Sequence, residues 1–391
     1  MTANLKGVGQ KCARRGSVAF WGSVLVTILA ASACAGGTAV ENPASQQTGR
    51  AVRSMQLLTP AEGWALTDQA LKWTNDGGLK WTDISPPSVP ASAIKGLFFL
   101  DAQRGWIVAP GTADVTATEQ LVAFRTSDGG RSWAPSALGL PDTDSRGAPA
   151  YVNFADPGHG WVVVKSVSSS NFSIGDLFRT ADGGITWTKL SIPIGDPVRF
   201  ANASDGWTAG GPAGDKLYVT RDGGDSWQAQ TVAPPPDFQS SYPVYHLPVF
   251  TTAQEGVLPV TFTGAASGVV FYITRDGGKS WTFETSAANS EPLHLGVPIP
   301  VDVVDASTWV AALSNGARVF ATRDGGRSFR EVAPNGMPAG VFDIDFTTGE
   351  IGWALVQTGE CPPGLKTGCT TISQLLETTD AGQTWTTLNP Q

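Results

Sequence analysis

The chain has 391 residues, a formal net charge of −8, and only 3 His and 4 Cys. Residues 1–33 carry four basic and no acidic residues, so their removal changes the formal net charge to −12. An acidic body argues against nucleic-acid binding, which depends on neutralising phosphates, and against broad adsorption to anionic lipid.

The first segment, residues 1–33, has the order of a secretory signal: basic residues, an apolar run without charge, then small residues. It ends in Ala31-Ser32-Ala33-Cys34, which resembles a bacterial lipobox with Ala31 where Leu is usual. The resemblance implies cleavage before Cys34 and lipid on its thiol. Plain secretion and an uncleaved anchor are the alternatives, because the apolar run is about as long as the shortest membrane spans.

Residues 34–53 are rich in Ala, Gly, Gln, Ser and Thr and lack an apolar period. This composition predicts a flexible tether that follows the lipidated Cys. We therefore expect an exported lipoprotein of the bacterial cell membrane, facing outside the cytoplasm. Its only contact with the membrane would be the N-terminal lipid.

From residue 54 onward, one short pattern of the form Thr-x-Asp-Gly-Gly-x-x-Trp, here called a box, occurs seven times. The boxes begin at Thr74, Thr126, Thr180, Thr220, Thr274, Thr322 and Thr378. The sixth ends in Phe329, and the seventh has Ala381 in place of the first Gly. A period near fifty residues, sustained over seven copies, predicts a repeat architecture.

A second pattern precedes each box: a Gly-Trp pair with a Phe about seven residues before the Trp. The pairs are Gly63-Trp64, Gly105-Trp106, Gly160-Trp161, Gly206-Trp207, Gly256-Val257, Thr308-Trp309 and Gly352-Trp353. Each unit reads as four short strands separated by Gly, Asp and Asn clusters, with no helical period. Residues 54–391 are therefore predicted to form one all-β, seven-bladed β-propeller of four-stranded antiparallel blades.

The box aspartates are interpreted as structural. Asp in a turn accepts hydrogen bonds from backbone N–H groups ahead of it, Gly supplies the unusual backbone angles, and the aromatic residue packs between sheets. The predicted structural aspartates are Asp76, Asp128, Asp182, Asp222, Asp276, Asp324 and Asp380.

These boxes resemble the Asp-box, or BNR repeat, of sialidases, sortilin-type receptors and xyloglucan-cleaving hydrolases. The paired unit, seven times over, is most similar to propellers of the photosystem II stability and assembly factor type and to uncharacterised bacterial sialidase-like propellers. The resemblance covers essentially the whole mature chain. It implies the fold and a role in assembling or stabilising a membrane or envelope protein, but the box-bearing families differ in function.

Enzyme functions find little support in the residues. The Arg-Ile-Pro segment of sialidases is absent, and seven units are counted where those enzymes have six blades. A glycoside hydrolase needs two carboxylates across a cleft, and no spacing selects such a pair. No Ser nucleophile pattern and no phosphate loop occurs. We therefore predict no catalytic residue, no cofactor and no metal site.

Cys361 and Cys369 lie in a Pro- and Gly-rich loop and are predicted to form a disulfide, because two Cys without a nearby His cannot fill a zinc shell. Binding is expected on the propeller face opposite the boxes, where link lengths vary. Three links stand out there, over residues 134–149, 230–245 and 358–373. The second presents Tyr242 and Tyr245, followed by His246.

A further candidate is the central channel, lined by the residue that precedes the Phe position in each unit. This column contains Gln56, Phe98, Asn153, Arg199, Val249, Asp302 and Asp345, with Asp302 placed by allowing a one-residue deletion. Arg199 between acids is interpreted as a polar plug or a small-ligand site.

The function we expect is a non-catalytic, extracytoplasmic binding or scaffold propeller with a protein partner in the cell envelope. The alternative is a glycan-active enzyme, sialidase-like or another glycoside hydrolase, or a glycan-binding module.

Overall fold

The structure, a computed structural model, describes residues 52–111, 120–141, 149–166, 172–288, 299–313, 318–360 and 370–390. All of them belong to the compact unit Thr48–Gln391. The predicted lipidation site Cys34 and the predicted disulfide partners Cys361 and Cys369 lie outside the described residues. Within the described ranges, no helix is long and apolar enough to cross a membrane.

Seven antiparallel sheets follow one another along the chain, which confirms the predicted seven-bladed propeller. Blades 1 to 4 each have four strands in chain order. Blade 1 contains β1 (Val52–Leu57), β2 (Gly63–Thr67), β3 (Leu71–Thr74) and β4 (Thr82–Asp83); blade 2 contains β5 (Gly96–Phe99), β6 (Gly105–Pro110), β7 (Gln120–Thr126) and β8 (Ala134–Pro141); blade 3 contains β9 (Ala150–Phe154), β10 (Gly160–Lys165), β11 (Gly175–Thr180) and β12 (Thr188–Leu190); blade 4 contains β13 (Val198–Phe200), β14 (Gly206–Gly210), β15 (Lys216–Thr220) and β16 (Gln228–Ala229).

Blade 5 differs from the others because its innermost strand is split in two, and both pieces pair with the same long neighbour. Blades 6 and 7 return to four strands. Blade 5 contains β17 (Ser241–Tyr245), β18 (Val249–Phe250), β19 (Gly256–Gly264), β20 (Gly268–Thr274) and β21 (Thr282–Ala288); blade 6 contains β22 (Val301–Val303), β23 (Trp309–Leu313), β24 (Arg318–Thr322) and β25 (Arg330–Val332); blade 7 contains β26 (Val341–Phe346), β27 (Gly352–Glu360), β28 (Thr370–Thr378) and β29 (Thr386–Leu388). In the described ranges, two short 3-10 helices, Ala91–Ala93 and Pro236–Phe238, lie in links between blades.

The core lies between successive sheets. Seven hydrophobic clusters, counted over the described ranges, fill the seven interfaces, including the one between blade 7 and blade 1. The Trp of one blade stacks on the Phe of the next: the ring centroids of Trp106 and Phe154 are 3.5 Å apart. Burying such large apolar rings supplies much of the energy that holds neighbouring blades together.

The ring closes by face packing, without strand exchange, because β1 to β4 and β26 to β29 form separate sheets. Trp81 of blade 1 lies 5.7 Å, centroid to centroid, from Trp353 of blade 7. The backbone at Gly78 packs against Leu388, so closely that a Cβ there would lie 2.7 Å from that side chain.

The sixth unit corrects the sequence alignment. Trp309 pairs with Thr322, the first residue of the box. In the other six blades, a Gly pairs with the first Thr of the box. Val310 therefore takes the usual Trp position, and Asp302 precedes the Phe position without any deletion. Val303 is small where Phe is usual, and Trp309 is large where Gly is usual. The large Trp309 side chain therefore fills the space left by the small Val303 in the same interface, where the ring centroids of Trp309 and Phe271 are 5.0 Å apart.

Candidate functional site

The box turns have one hydrogen-bond pattern. In each, the Thr hydroxyl donates to the Asp carboxylate and accepts the N–H of the second Gly position, as Thr126 does toward Asp128 and from Gly130 at 2.8 Å. In six boxes the Asp also accepts the hydroxyl of a Ser or Thr four residues on, at 2.6 Å. The hydroxyl and N–H of Ser132 bonding Asp128 lower the pKa of this carboxyl to about 2.

Each box turn is also tied to the turn between the first two strands of its blade. The N–H at the first Gly position donates to a carbonyl of that hairpin in all seven blades, at 2.8 to 2.9 Å; Gly129 donates to the Gln103 carbonyl, and Ala381 to the Glu350 carbonyl. The boxes and hairpins therefore share one end of the propeller, here called the box face. Their carboxylates are engaged within the turns.

The opposite end, here called the loop face, carries the links between second and third strands and between blades. The three links singled out there are partly strand or helix. The 230–245 link contains β17 and a 3-10 helix, the 134–149 link begins with β8, and β27 and β28 extend into the 358–373 link. Residues 142–148 and 361–369 lie outside the described part of the chain.

The predicted column of channel residues lies on the innermost strands of all seven blades. Six members line one cavity of about 720 Å³ that opens toward the loop face, and Val249 lines a neighbouring cleft. Three column side chains have a specific bond to the following blade. The Asn153 amide oxygen accepts the Phe200 N–H at 2.9 Å, Asp302 accepts the Phe346 N–H at 2.7 Å, and Asp345 accepts the Leu57 N–H at 2.8 Å.

The bond of Asp345 spans the ring closure, because Leu57 belongs to the first blade and Asp345 to the last. A carboxylate and an amide perform the same structural task at equivalent positions, since both present an oxygen to an N–H group. We conclude that the acidic column residues are in part blade connectors.

The Arg199 side chain is exposed to water in the channel, but protein surrounds the channel on all sides. This enclosure lowers the pKa of the guanidinium, whereas the charges of Asp302 and Asp345 raise it. Among the described residues, none accepts a hydrogen bond from this guanidinium, which has five N–H donors. Arg199 is a free donor group at the channel floor.

The carboxyl groups around the channel resist ionisation. Enclosure raises the pKa of Asp302 to about 6 despite the Phe346 N–H and the Arg199 charge. For Asp345, enclosure and then the charge of Asp302 raise the pKa well above its ordinary value. The protein that surrounds the channel also raises the pKa of Asp343 to about 7, although this side chain is exposed to solvent at the mouth. The same cavity is lined by three carboxyl groups, of Asp302, Asp343 and Asp345, and by three basic residues, Arg53, Lys95 and Arg199.

Tyr245 and His246 lie in a side cleft of about 460 Å³ between blades 4 and 5, which Arg199 and Asp302 also line. His246 Nε2 is 2.8 Å from the Thr261 hydroxyl, which also accepts the Ile299 N–H at 3.0 Å. The hydroxyl can therefore donate its own proton to Nε2. Enclosure lowers the pKa of His246 to about 4, which keeps the imidazole neutral.

The structure thus joins four of the six predicted binding residues, Arg199, Asp302, Tyr245 and His246, around one cleft. Asp345 lies in the adjoining channel, and Tyr242 is 64% exposed on β17 without lining either cavity. Two residues of the channel mouth, Phe342 and Asp343, were missed. The alternation in Val341-Phe-Asp-Ile-Asp-Phe346 was the available signal, because it places Asp343 and Asp345 on one side of a strand.

No group of three or more His, Cys, Asp or Glu side chains in the described ranges is placed to bind a metal ion. The arrangement offers hydrogen-bond donors from Arg199, carboxyl groups from Asp302, Asp343 and Asp345, and aromatic surface from Phe342 at the mouth. Chemically, it can bind a polar or charged group that enters from the loop face.

Comparison with known proteins confirms the resemblance to propellers of the photosystem II assembly factor type. No protein-family model matches the chain. The chain is 25% identical over 316 residues to the photosystem II assembly protein Ycf48 of Synechococcus sp. (strain JA-2-3B'a(2-13)), over 77% of this chain and 81% of that protein. It is 29% identical over 157 residues to the photosystem II assembly lipoprotein Ycf48 of Synechococcus sp. (strain CC9902), over 38% of this chain and 41% of that protein.

Two solved structures share the fold. YCF48 bound to D1 peptide superposes with a TM-score of 0.53 and 16% identity, over 79% of this chain and 89% of that one. The GH74 xyloglucanase of Xanthomonas campestris superposes with a TM-score of 0.51 and 13% identity, over 86% of this chain and 67% of that one. The chain is therefore a seven-bladed propeller similar to the photosystem II assembly factors.

Proposed function

We propose that this protein is a non-catalytic propeller whose loop face binds a protein of the cell envelope and aids its assembly or stability. The observation that carries the proposal is the similarity to Ycf48 proteins along most of both chains. Those relatives are named as assembly proteins, and one solved structure holds a D1 peptide. Nothing in the residues points to photosynthesis, so the partner is defined here only as an envelope or membrane protein.

The difference between the two propeller faces supports binding at the loop face. On the box face, the seven aspartates are hydrogen-bonded within their own turns, as Asp128 and Asp276 are to the hydroxyls of Ser132 and Ser280. The loop face presents a wide cavity of about 720 Å³ and an exposed Phe342 at its rim. Exposed aromatic side chains next to polar groups are typical of protein interfaces.

Location at the membrane is part of the proposal. The signal of residues 1–33, a lipid on Cys34 and a tether before β1 would hold the propeller outside the cytoplasm, close to a membrane-bound partner. One relative in the comparison is itself named a lipoprotein. A disulfide between Cys361 and Cys369 would suit this oxidising compartment.

A second candidate, a glycan-active enzyme or glycan-binding module, is favoured by one observation. Asp302 and Asp343, whose pKa values are about 6 and about 7, share one channel, and raised carboxyl pKa values are typical of a general acid. Against this, Asp302 and Asp345 each accept a backbone N–H of the next blade through one side-chain oxygen, as Asn153 does. That use is structural.

Affinity capture with the full chain from a membrane fraction tests the proposal, with the same chain applied to a glycan array and to a panel of aryl glycosides. We expect specific recovery of an envelope protein and neither glycan binding nor hydrolysis. Recovery of no protein, together with binding on the array or release of the aryl group, would replace the first proposal by the second.

A further inference from the structure

We propose that an extended segment of the protein partner joins blade 7 at the loop face as an added strand and pairs with the outer edge of β28 over residues 370–374. The inference rests on the proposed function, because it specifies how that partner is held. It concerns the part of β28 that extends beyond the end of β29, here called the open edge.

The open edge exists because the third and fourth strands of blade 7 differ in length. β28 has nine residues and β29 has three, and their pairing ends at Leu375. In blades 2 and 5 the third strand is also long, but the fourth strand pairs with it as far as its first residue, Gln120 of β7 and Gly268 of β20. Within the described part of the chain, residues 370–374 of β28 therefore have no neighbouring strand on the outer side.

The backbone groups of Thr371 and Ser373 point toward the open edge. The Gln357 N–H donates to the Gly340 carbonyl at 2.8 Å, on the side of β26, so Gln357 directs its backbone groups away from β28. In an antiparallel pair the residue directly opposite does the same, and Ser373 lies opposite Gln357. Thr371, two residues away, follows the same alternation. Each of the two residues therefore offers one N–H and one carbonyl to an added strand.

The Ser373 hydroxyl is a second indication that a neighbour binds here. Ser373 is only 6% exposed, yet its Oγ has no hydrogen-bond partner among the described residues. In blade 2, the Ser136 hydroxyl donates at 3.3 Å to the carbonyl of Ala123, the residue that it pairs with on the adjacent strand. A buried hydroxyl without a partner is costly, and a carbonyl of an added strand can accept from Ser373 in the same way.

The sequence of the open edge lacks the features that commonly prevent strand addition. Exposed edges are usually very short or carry charged side chains, Pro or a bulge. Residues 370–374 are Thr-Thr-Ile-Ser-Gln, without charge or Pro, and they pair with β27 without a shift of register. Ile372 is 40% exposed at this position. Because β-branched Thr and Ile favour an extended backbone, the open edge is a template for pairing.

An extended segment of another protein is the occupant that fits. A row of unpaired N–H and carbonyl groups is matched by another strand, as in β-strand addition. A second copy of this chain offers the same edge, but two bodies with a net charge of −12 each, after removal of residues 1–33, repel each other. We therefore expect the partner strand to be neutral or basic and rich in β-branched residues.

Thr371→Pro tests the open edge, because Pro removes the outward N–H of residue 371 and leaves the hydrogen bonds between β27 and β28 in place. Thr371→Val is the matched control, since it keeps the N–H and a β-branched side chain. The probe is the envelope protein that the native full chain captures from a membrane fraction, purified and titrated against the three chains. We expect Thr371→Pro to bind it about tenfold more weakly, equivalent to roughly 1.4 kcal/mol, and Thr371→Val to bind it as the native chain does.

Hydrogen exchange of the complex gives a readout that a purely structural role would not move. The amides of Thr371 and Ser373 should exchange more slowly when the captured protein is bound, whereas exchange in the box turns should not change. Ile372→Lys is a second variant in case Thr371→Pro does not fold. It keeps every backbone donor but adds a charge beside the edge, and it should also weaken binding.

Equal affinity of the native chain and the folded edge variants, or unchanged exchange of both amides in the complex, would overturn the inference and leave the proposed function standing. A complex of two copies of this chain that protects the same amides would also overturn it, because the occupant would then be a second copy. If the native chain captures no envelope protein, the proposed function itself is wrong, and the inference fails with it.

Discussion

Replacing Asp345 by Ala removes the acceptor that joins the last blade to the first. In the native chain its carboxyl oxygen accepts the Leu57 N–H at 2.8 Å across the ring closure. Leu57 is buried and Asp345 lines the channel, so channel water is the only replacement for the lost acceptor. Asp345→Asn keeps an oxygen at the same place, as the Asn153 amide does between blades 3 and 4.

The expected cost follows from the stranded N–H. A buried backbone donor without a partner costs about 1–3 kcal/mol. At roughly 2.1 cal/mol/K of unfolding entropy per residue, a loss of about 2 kcal/mol in a propeller of this length lowers Tm by roughly 3 °C. Asp345→Asn should be neutral or stabilising near neutral pH, because enclosure raises the pKa of Asp345 well above its ordinary value and the amide carries no charge.

Denaturant unfolding followed by Trp fluorescence measures the difference between the two variants. Asn153→Ala is the matched control, because it removes the same bond between two blades that are consecutive in the chain. We expect Asp345→Ala to be less stable than Asp345→Asn and at least as destabilising as the control. Identical midpoints for Asp345→Ala and Asp345→Asn would refute the view that this bond helps to close the ring.

Three further outcomes follow from named residues. Ala381 has φ +65° where the other boxes have Gly, so Ala381→Gly should raise stability by up to about 1 kcal/mol, whereas Gly325→Ala, at φ +72°, should lower it; a lower melting temperature for Ala381→Gly would contradict this. The pKa of Asp302, about 6, lies above its value of about 3.9 in an unfolded chain, so its stabilising contribution is lost as pH rises from 4 through 6. Asp302→Asn should flatten that part of the pH–stability curve, and an unchanged slope would count against the assignment. Trp385 is buried and packs edge-on against Phe346 at 6.0 Å, so Trp385→Ala should cost about 3–5 kcal/mol in one cooperative transition, and an unaltered melt would exclude a role in the ring.

The repeated residues made the fold predictable. Seven boxes and the residue pair that precedes each of them determined the blade number, and the turn chemistry of Thr, Asp and Gly determined where strands three and four meet. The sixth unit was misaligned because Trp309 was matched by residue type. Its packing shows that volume at the interface matters more than identity, since Val303 and Trp309 together replace a Phe and a Gly.

The site was less predictable, because it depends on the ends of strands. The column of channel residues was placed correctly, since the register of an innermost strand follows from alternation. The strand within the link over residues 230–245 was not predicted. This strand, β17, pairs with the C-terminal half of β19, a long-range contact that local composition does not encode. The β-bulge at Phe342 was not predicted for the same reason. It arises because Val341 pairs with Val356 and Asp343 pairs with the adjacent Leu355 on another strand.

The central claim is that the loop face, and not the box face, meets a protein partner. Site-specific photo-crosslinking in cells tests it directly, with a photoreactive residue at Phe342 on the channel mouth or at Leu79, which is 80% exposed in the first box turn. The account predicts a discrete crosslinked protein from position 342 and none from position 79. Crosslinking from position 79 alone, or from neither position, would contradict it.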